Sequence, residues 1–263
     1  MDVKNFSLAA CLCLLLSFSG SAMAFVQVEF PSEDGLPVTA DLYMEHDMDA
    51  PFIILFHRAG WSRGEYRGIA PELVALGFNC MAVDQRSGRE INGIRNMTAM
   101  RAEKAGKATG FPDALQDMMA AARFVREKYA KGRLILWGSS YSASLVIKMA
   151  GDYPDIADGV VAFSPGEYFT RYGKPSTFIA DSAARIRCPL FITAAKSERG
   201  LWIRIFNRVM RPDIDSYVPV VEGAHGSMSL WKETEGHEGY WKAVKRFLGR
   251  FKQAGKGTAK AEK

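Results

Sequence analysis

The sequence predicts an α/β domain built on a mostly parallel central sheet with helices on both faces. Strand-like and helix-like segments alternate along the chain. Several strands, "PFIILFH" above all, are continuous apolar runs of the kind a sheet buries on both faces. A chain of 263 residues, 48% of them hydrophobic, is long enough to enclose one sizeable core.

Residues 1–24 read as a cleavable leader. Lys4 supplies a positive start, and "LAACLCLLLSF" is an apolar run too short to span a membrane. "SAMA" ends in the small-x-small pattern of a signal peptidase site, which puts cleavage after Ala24. "LAAC", Leu8 to Cys11, opens the apolar run rather than closing it and is read as a chance match to a lipoprotein box. The leader implies a periplasmic or secreted protein.

Residues 25–251 form the predicted domain, and no linker or repeat divides them. "FVQVEF" and "LPVTADLYM", joined by the turn "PSEDG", read as an opening hairpin. Strand "PFIILFH" is followed by a helix over "EYRGIAPELVALG" that Gly77 stops, then strand "FNCMAVD". A long polar segment, 85–111, comes next. "FPDALQDMMAAARFVREKY" is an amphipathic helix with Pro112 near its start. Strand "RLILWG", helix "SASLVIKMAGDY" and strand "GVVAFSP" follow, then an irregular stretch, 166–187. Strand "PLFITAA", a helix around "GLWIRIFNRVM", strand "SYVPVVEG" and a final helix to about Phe251 complete the order.

Net charge is +5, and residues 252–263, with four lysines against one glutamate, read as a solvated, disordered tail that supplies +3 of it. The body is close to neutral, so the charge gives no argument for nucleic-acid binding. Cys80 and Cys188 are expected to be two buried thiols, although the compartment permits a disulfide. No spacing of His, Cys, Asp or Glu suggests a metal, and no cofactor is called for.

The chemistry concentrates in "RLILWGSSYSAS". A buried strand that ends in Gly-x-Ser-x-small and opens a helix describes a nucleophile elbow. The strand ends at Gly138, so Ser140 is the elbow serine, flanked two residues away by the small Gly138 and Ser142. Ser139 would have the bulky Tyr141 two places on, and Ser142 lies further into the helix. At the helix start Ser140 Oγ meets the positive end of the dipole, and the Tyr141 backbone N–H is aimed where an oxyanion forms. The plainer reading is a serine-rich helix cap. A serine nucleophile needs a base. Of His46, His57, His225 and His237, His225 follows the last predicted strand in "GAHG", the place expected from the chain order nucleophile, acid, histidine.

With "FHRAGWSRGEY", "DQRSG", "GSSYSA" and "GAHG" in that order, the chain resembles the α/β-hydrolases, and within them the dienelactone-hydrolase-like and prolyl-oligopeptidase-type esterases. The resemblance covers 51–251 and implies a sheet of about eight strands. It implies a second oxyanion donor after the third strand, the N–H of Arg58 or Ala59, with His57 shaping that loop. Dienelactone hydrolases proper use a cysteine nucleophile, and Ser140 in its place argues against that activity. The family's aspartate is missing: Ser197 stands in its position in "AAKSERG". Glu198, one residue on, is the first candidate acid and Glu167 the second. Otherwise the pair works without one, or not at all.

The segment 86–107 carries a net charge of +4, and Arg58, Arg63 and Arg67 lie on the neighbouring loop. Arg63 and Arg86 are therefore candidate contacts for an anionic ester, unless these arginines pair with internal acids. The aromatics Tyr168, Phe169, Tyr172 and Phe178 suggest a small lid, or a packed loop. The expected activity is cofactor-free cleavage of a small-molecule carboxylic ester. A peptidase or amidase of the same fold and a non-catalytic binding protein are the alternatives.

Overall fold

A computed structural model describes residues 25–252, so the expected leader, 1–24, and the tail beyond Lys252 lie outside the described residues. Eight strands form one sheet in the order β1 (Val26–Pro31), β2 (Pro37–Tyr43), β4 (Asn79–Val83), β3 (Phe52–Phe56), β7 (Leu134–Ser139), β8 (Gly159–Phe163), β9 (Leu190–Thr193) and β10 (Ile214–Tyr217). β1, β2 and β4 pair antiparallel, and every pair from β4 to β10 is parallel. Because these strands are parallel, their C-terminal ends share one edge of the sheet.

The strands' period of two sorts their side chains into two layers. Phe52, Ile54 and Phe56 of β3 and Leu134 and Leu136 of β7 face one core. α3 (Leu115–Lys128), α4 (Tyr141–Asp152), α5 (Ala180–Ala183) and α6 (Arg199–Phe206) cover it. Ile53, Leu55, Ile135 and Trp137 face the other, beneath α1 (Ile69–Ala75) and α7 (His237–Leu248). Cys80 belongs to the second core and Cys188 to the first, so the two buried thiols stand on opposite faces and are free.

The polar segment after β4 is less irregular than its composition implies. It holds a two-residue hairpin, β5 (Glu90–Ile91) with β6 (Ile94–Arg95), and α2 (Met97–Lys104). Asn96 caps α2, its side chain accepting the Ala99 N–H at 2.8 Å. The last strand departs from expectation. β10 ends at Tyr217, before "VPVVEG", because Pro219 has no N–H to give a ladder. Among the described residues no helix is long and apolar enough to cross a membrane.

Candidate active site

β7 runs into α4 through a turn in which Ser140 takes φ 62° and ψ −122°. A side chain at Gly138 would run into the Ser142 carbonyl and the Ala143 backbone, so the turn requires glycine there. The three neighbouring serines have different work. Ser142 is fully buried and its hydroxyl donates to the Phe56 carbonyl at 2.7 Å. Ser139 faces inward and donates to Glu65 at 2.7 Å. Ser140 alone points to the surface side, 8% exposed.

His225 closes on Ser140 from the loop after β10, its Nε2 lying 2.8 Å from Ser140 Oγ. That leaves Nδ1–H to donate to Glu198 Oε1, with which it makes a short contact. Gly226, next in the chain, holds φ 78°, and a side chain there would strike Ser139 Oγ. Glu198 ends the single turn Lys196–Glu198 after β9. Its Oε2 accepts Ser164 Oγ–H at 2.7 Å, and Ser164 Oγ in turn accepts the Gly226 N–H at 2.8 Å. Burial raises the Glu198 carboxyl, but the hydrogen bonds from His225 and Ser164 outweigh it, and the group sits below the ordinary carboxylate value. Ser197, in the position expected of an aspartate, instead turns outward to Glu222.

Glu167 lies outside this chain of bonds. Its carboxylate accepts the Ile179 and Ala180 N–H groups at 3.0 and 2.8 Å and so caps α5, which excludes it as the partner of His225. The oxyanion loop also narrows. The Arg58 N–H is taken by Glu65 Oε2 at 2.8 Å, which removes it as a free donor. Ala59 N–H has no partner among the described residues, and Tyr141 N–H, first in α4, has no intrahelical acceptor. His57 is fully buried. Its ring joins the Arg58 carbonyl at 2.8 Å to the Gln85 N–H at 3.0 Å, so it braces the loop and does not face Ser140. Burial lowers it to about 4, which keeps it neutral.

The two arginines expected to meet substrate do not. Arg63 reaches Asp41 at 2.8 Å and Asp84 at 2.6 Å and is 7% exposed. Arg86, 1% exposed, reaches Asp117 at 2.7 Å and Asp34 at 3.0 Å. A buried guanidinium must be fully paired, and these acids from distant segments pair them. Two further cations of 86–107 pair with acids outside it: Arg101 with Glu29, and Lys107 with Asp34 at 3.0 Å.

The cleft in front of Ser140 encloses about 350 Å³ between Phe111, Tyr168, Thr170, Arg171 and His225. Of the aromatics considered as a lid, Tyr168 lines this cleft. Phe169 is core, Tyr172 packs on Phe111 at 5.4 Å, and Phe178 packs on Phe169. Arg171 is exposed and its guanidinium lies 4.3 Å from the Phe111 ring centre, with no carboxylate in ion-pair range among the described residues.

Residues 49–195 match the family described as serine aminopeptidase, S33. The chain belongs to this family of α/β-hydrolases. No curated protein matches it. An esterase of Pyrococcus furiosus superposes with a TM-score of 0.67 at 20% identity, covering 87% of this chain and 93% of its own. A dienelactone hydrolase of Anabaena variabilis gives 0.67 at 9% identity, over 88% and 99%. A carboxyl esterase of Bacillus coagulans gives 0.66 at 12% identity, over 87% and 99%. At such identities these likenesses concern the hydrolase fold.

Sequence reading of this hydrolase missed Ser164, Glu65 and Arg171. Ser164 carried one signal, its place at the end of a parallel strand on the active edge. Glu65 and Arg171 carried none, because their partners lie far away in the chain.

Proposed function

We propose that the protein is a serine hydrolase that cleaves carboxylic esters through an acyl-enzyme on Ser140. The observation that carries the reading is the hydrogen-bonded series Ser140 Oγ, His225 Nε2, His225 Nδ1 and Glu198 Oε1 at the mouth of the cleft. Ser140 Oγ attacks the carbonyl carbon as its proton passes to His225 Nε2. The carbonyl oxygen takes the negative charge and is held by the Ala59 and Tyr141 N–H groups. The tetrahedral species collapses, and the departing alkoxide takes the proton from His225. Water then attacks the acyl-serine with His225 as base, and the carboxylic acid leaves. Glu198 holds the imidazole in the tautomer that offers Nε2 to the serine and stabilises the imidazolium.

The cleft lining favours an ester over a peptide with a free amino end. An aminopeptidase must hold a protonated amine, which calls for a carboxylate at the cleft wall. Here the wall offers Arg171, with Phe111 and Tyr168. An ester with a carboxylate or other anionic group on its acyl or alcohol part therefore fits better than a cationic one. The leader reading places this activity in the periplasm or outside the cell.

The test is labelling with a fluorophosphonate, followed by peptide mapping, in wild type, Ser140→Ala and Glu198→Ala. The expected result is a label on Ser140 that Ser140→Ala abolishes and Glu198→Ala slows by roughly 10⁴-fold. A folded wild type that takes no label would make the protein a binding module of the same fold.

A further inference from the structure

Of the buried carboxylates that the mechanism leaves unused, Asp41, Asp84 and Asp117 pair with arginines, and Glu65 does not. Glu65 sits in the single turn Arg63–Tyr66, fully enclosed, directly behind the elbow. Its Oε2 accepts the Arg58 N–H at 2.8 Å, and its Oε1 accepts the Ser139 hydroxyl at 2.7 Å. Ser139 Oγ in turn accepts the Ser227 N–H at 2.9 Å. Each partner is a near neighbour in the chain of a working group. Arg58 precedes Ala59, Ser139 precedes Ser140, and Ser227 follows His225 by two. The Arg58 guanidinium adds a second tie, donating to the His225 carbonyl at 3.3 Å. Trp231 Nε1–H fixes the turn itself, donating to the Glu65 carbonyl at 3.1 Å.

We propose that Glu65, as a carboxylate, is the positioning residue that holds the oxyanion loop, the nucleophile and the histidine loop in one register. The proposal rests on the ester-hydrolase reading. An ionised carboxylate only accepts; the Arg58 N–H and the Ser139 hydroxyl donate to it directly, and the histidine loop is tied to it through Ser139. A protonated or amide side chain must also donate inward. If that proton goes to the nearest acceptor, Ser139 Oγ, the Ser139 hydroxyl loses Glu65 Oε1 as its own acceptor and must turn away, so the register slackens. A buried carboxylate is costly without such acceptor work, and an apolar residue would otherwise fill the turn.

The charged and titratable groups facing Glu65 are the Arg58 guanidinium and the phenols of Tyr66 and Tyr141. Burial pushes both phenols well up, so both stay neutral. Tyr66 donates to the Phe56 carbonyl at 2.6 Å, which commits its proton elsewhere. Burial pushes Glu65 up to about 7, against the opposing hydrogen bonds from Ser139 and the Arg58 N–H. Its charge therefore changes near neutrality.

The experiment measures the rate of fluorophosphonate labelling of Ser140 from about pH 5 to about pH 9. It compares wild type, Glu65→Gln and Ser139→Ala. The expected result is that Glu65→Gln labels 10- to 100-fold more slowly than wild type at about pH 8, a loss in the range of a misplaced catalytic group. The gap closes toward acid pH, where the wild-type carboxyl is itself neutral. A merely structural role would give a ratio independent of pH, and that result, or equal rates, would overturn the proposal. Should Glu65→Gln not fold, Ser139→Ala removes the relay to both loops. It is expected to slow labelling at least fivefold, and wild-type rates in it would overturn the proposal equally. Wild type that never labels strikes the ester-hydrolase reading itself, and this is seen without either variant.

Discussion

Ser140 is held at a φ of 62°, a region side chains rarely enter. Such strain persists only where the surroundings over-determine it. Here the Ser140 N–H donates to the Phe163 carbonyl at 2.8 Å, and α4 begins at once on its far side. Beyond that serine, Arg171 lines the cleft. Its guanidinium stands 4.3 Å from the Phe111 ring centre at the cleft, with its donors uncommitted to any acid among the described residues. A planar fork on an aromatic shelf suits a carboxylate. Arg171→Ala is expected to raise KM about tenfold for an ester with a terminal carboxylate, with kcat changed less than twofold. For the matched neutral ester both constants should stay close to wild type. Steady-state kinetics on the pair decides it, and equal effects on both esters would remove Arg171 from recognition. The pairing of Ser140 with His225 was legible because strand ends, chain order and turn size constrain both locally, whereas Glu198 was reached only through the family resemblance, ahead of Glu167. Arg63 and Arg86 were misread for the opposite reason. Counting their charges could not reveal that Asp41, Asp84, Asp34 and Asp117 fold onto them.

At the level of elements, the elbow is a strand and a helix sharing one crowded corner. β7 contributes Gly138 and α4 contributes Ser142 and Ala143, and their backbones meet where a side chain on Gly138 would stand. The β7 backbone cannot retreat, because it is bonded on both sides to β3 and β8. Gly138→Ala is therefore expected to destabilise the protein by about 2 kcal/mol or more, in the range of overpacked cores. It should also reduce labelling of Ser140 in whatever fraction remains folded. Urea unfolding beside the labelling rate measures both, and a variant of wild-type stability would show that the corner has slack. The same dependence on backbone chemistry explains where element reading failed. "SYVPVVEG" has the apolar look of a strand throughout, but Pro219 stops the ladder and β10 ends at Tyr217. In 85–111 the cue to α2 was a single cap, Asn96, lost among polar residues of similar composition.

Across the whole molecule, charge is buried where the active edge meets the opening hairpin. Arg63 and Arg86 tie β2 and the β1–β2 turn to the end of β4 and to α3. Hydrogen bonding to Arg86 holds Asp34 well below the usual carboxylate range, against a smaller upward push from burial. Its contribution is thus present above the unfolded value near 3.8 and is lost as pH falls below it. Glu65 has the opposite sign. Its carboxyl is raised from 4.5 to about 7, so between those values the folded state keeps a proton that the unfolded chain has released. Stability therefore declines as pH rises through that window, by at most about 3 kcal/mol, and is level again above it. Glu65→Gln has no proton to lose, so its stability lacks this decline. Relative to wild type, the variant should gain about 2.5 kcal/mol between pH 5 and pH 8, whatever its offset at pH 5. Urea unfolding of both proteins at the two pH values reads the difference directly, and parallel behaviour would mean that Glu65 stays ionised in the fold throughout. If the gain appears together with slower labelling at pH 8, the carboxylate that orders the site is also one the fold would be more stable without. That trade is expected where a buried charge serves chemistry and not packing.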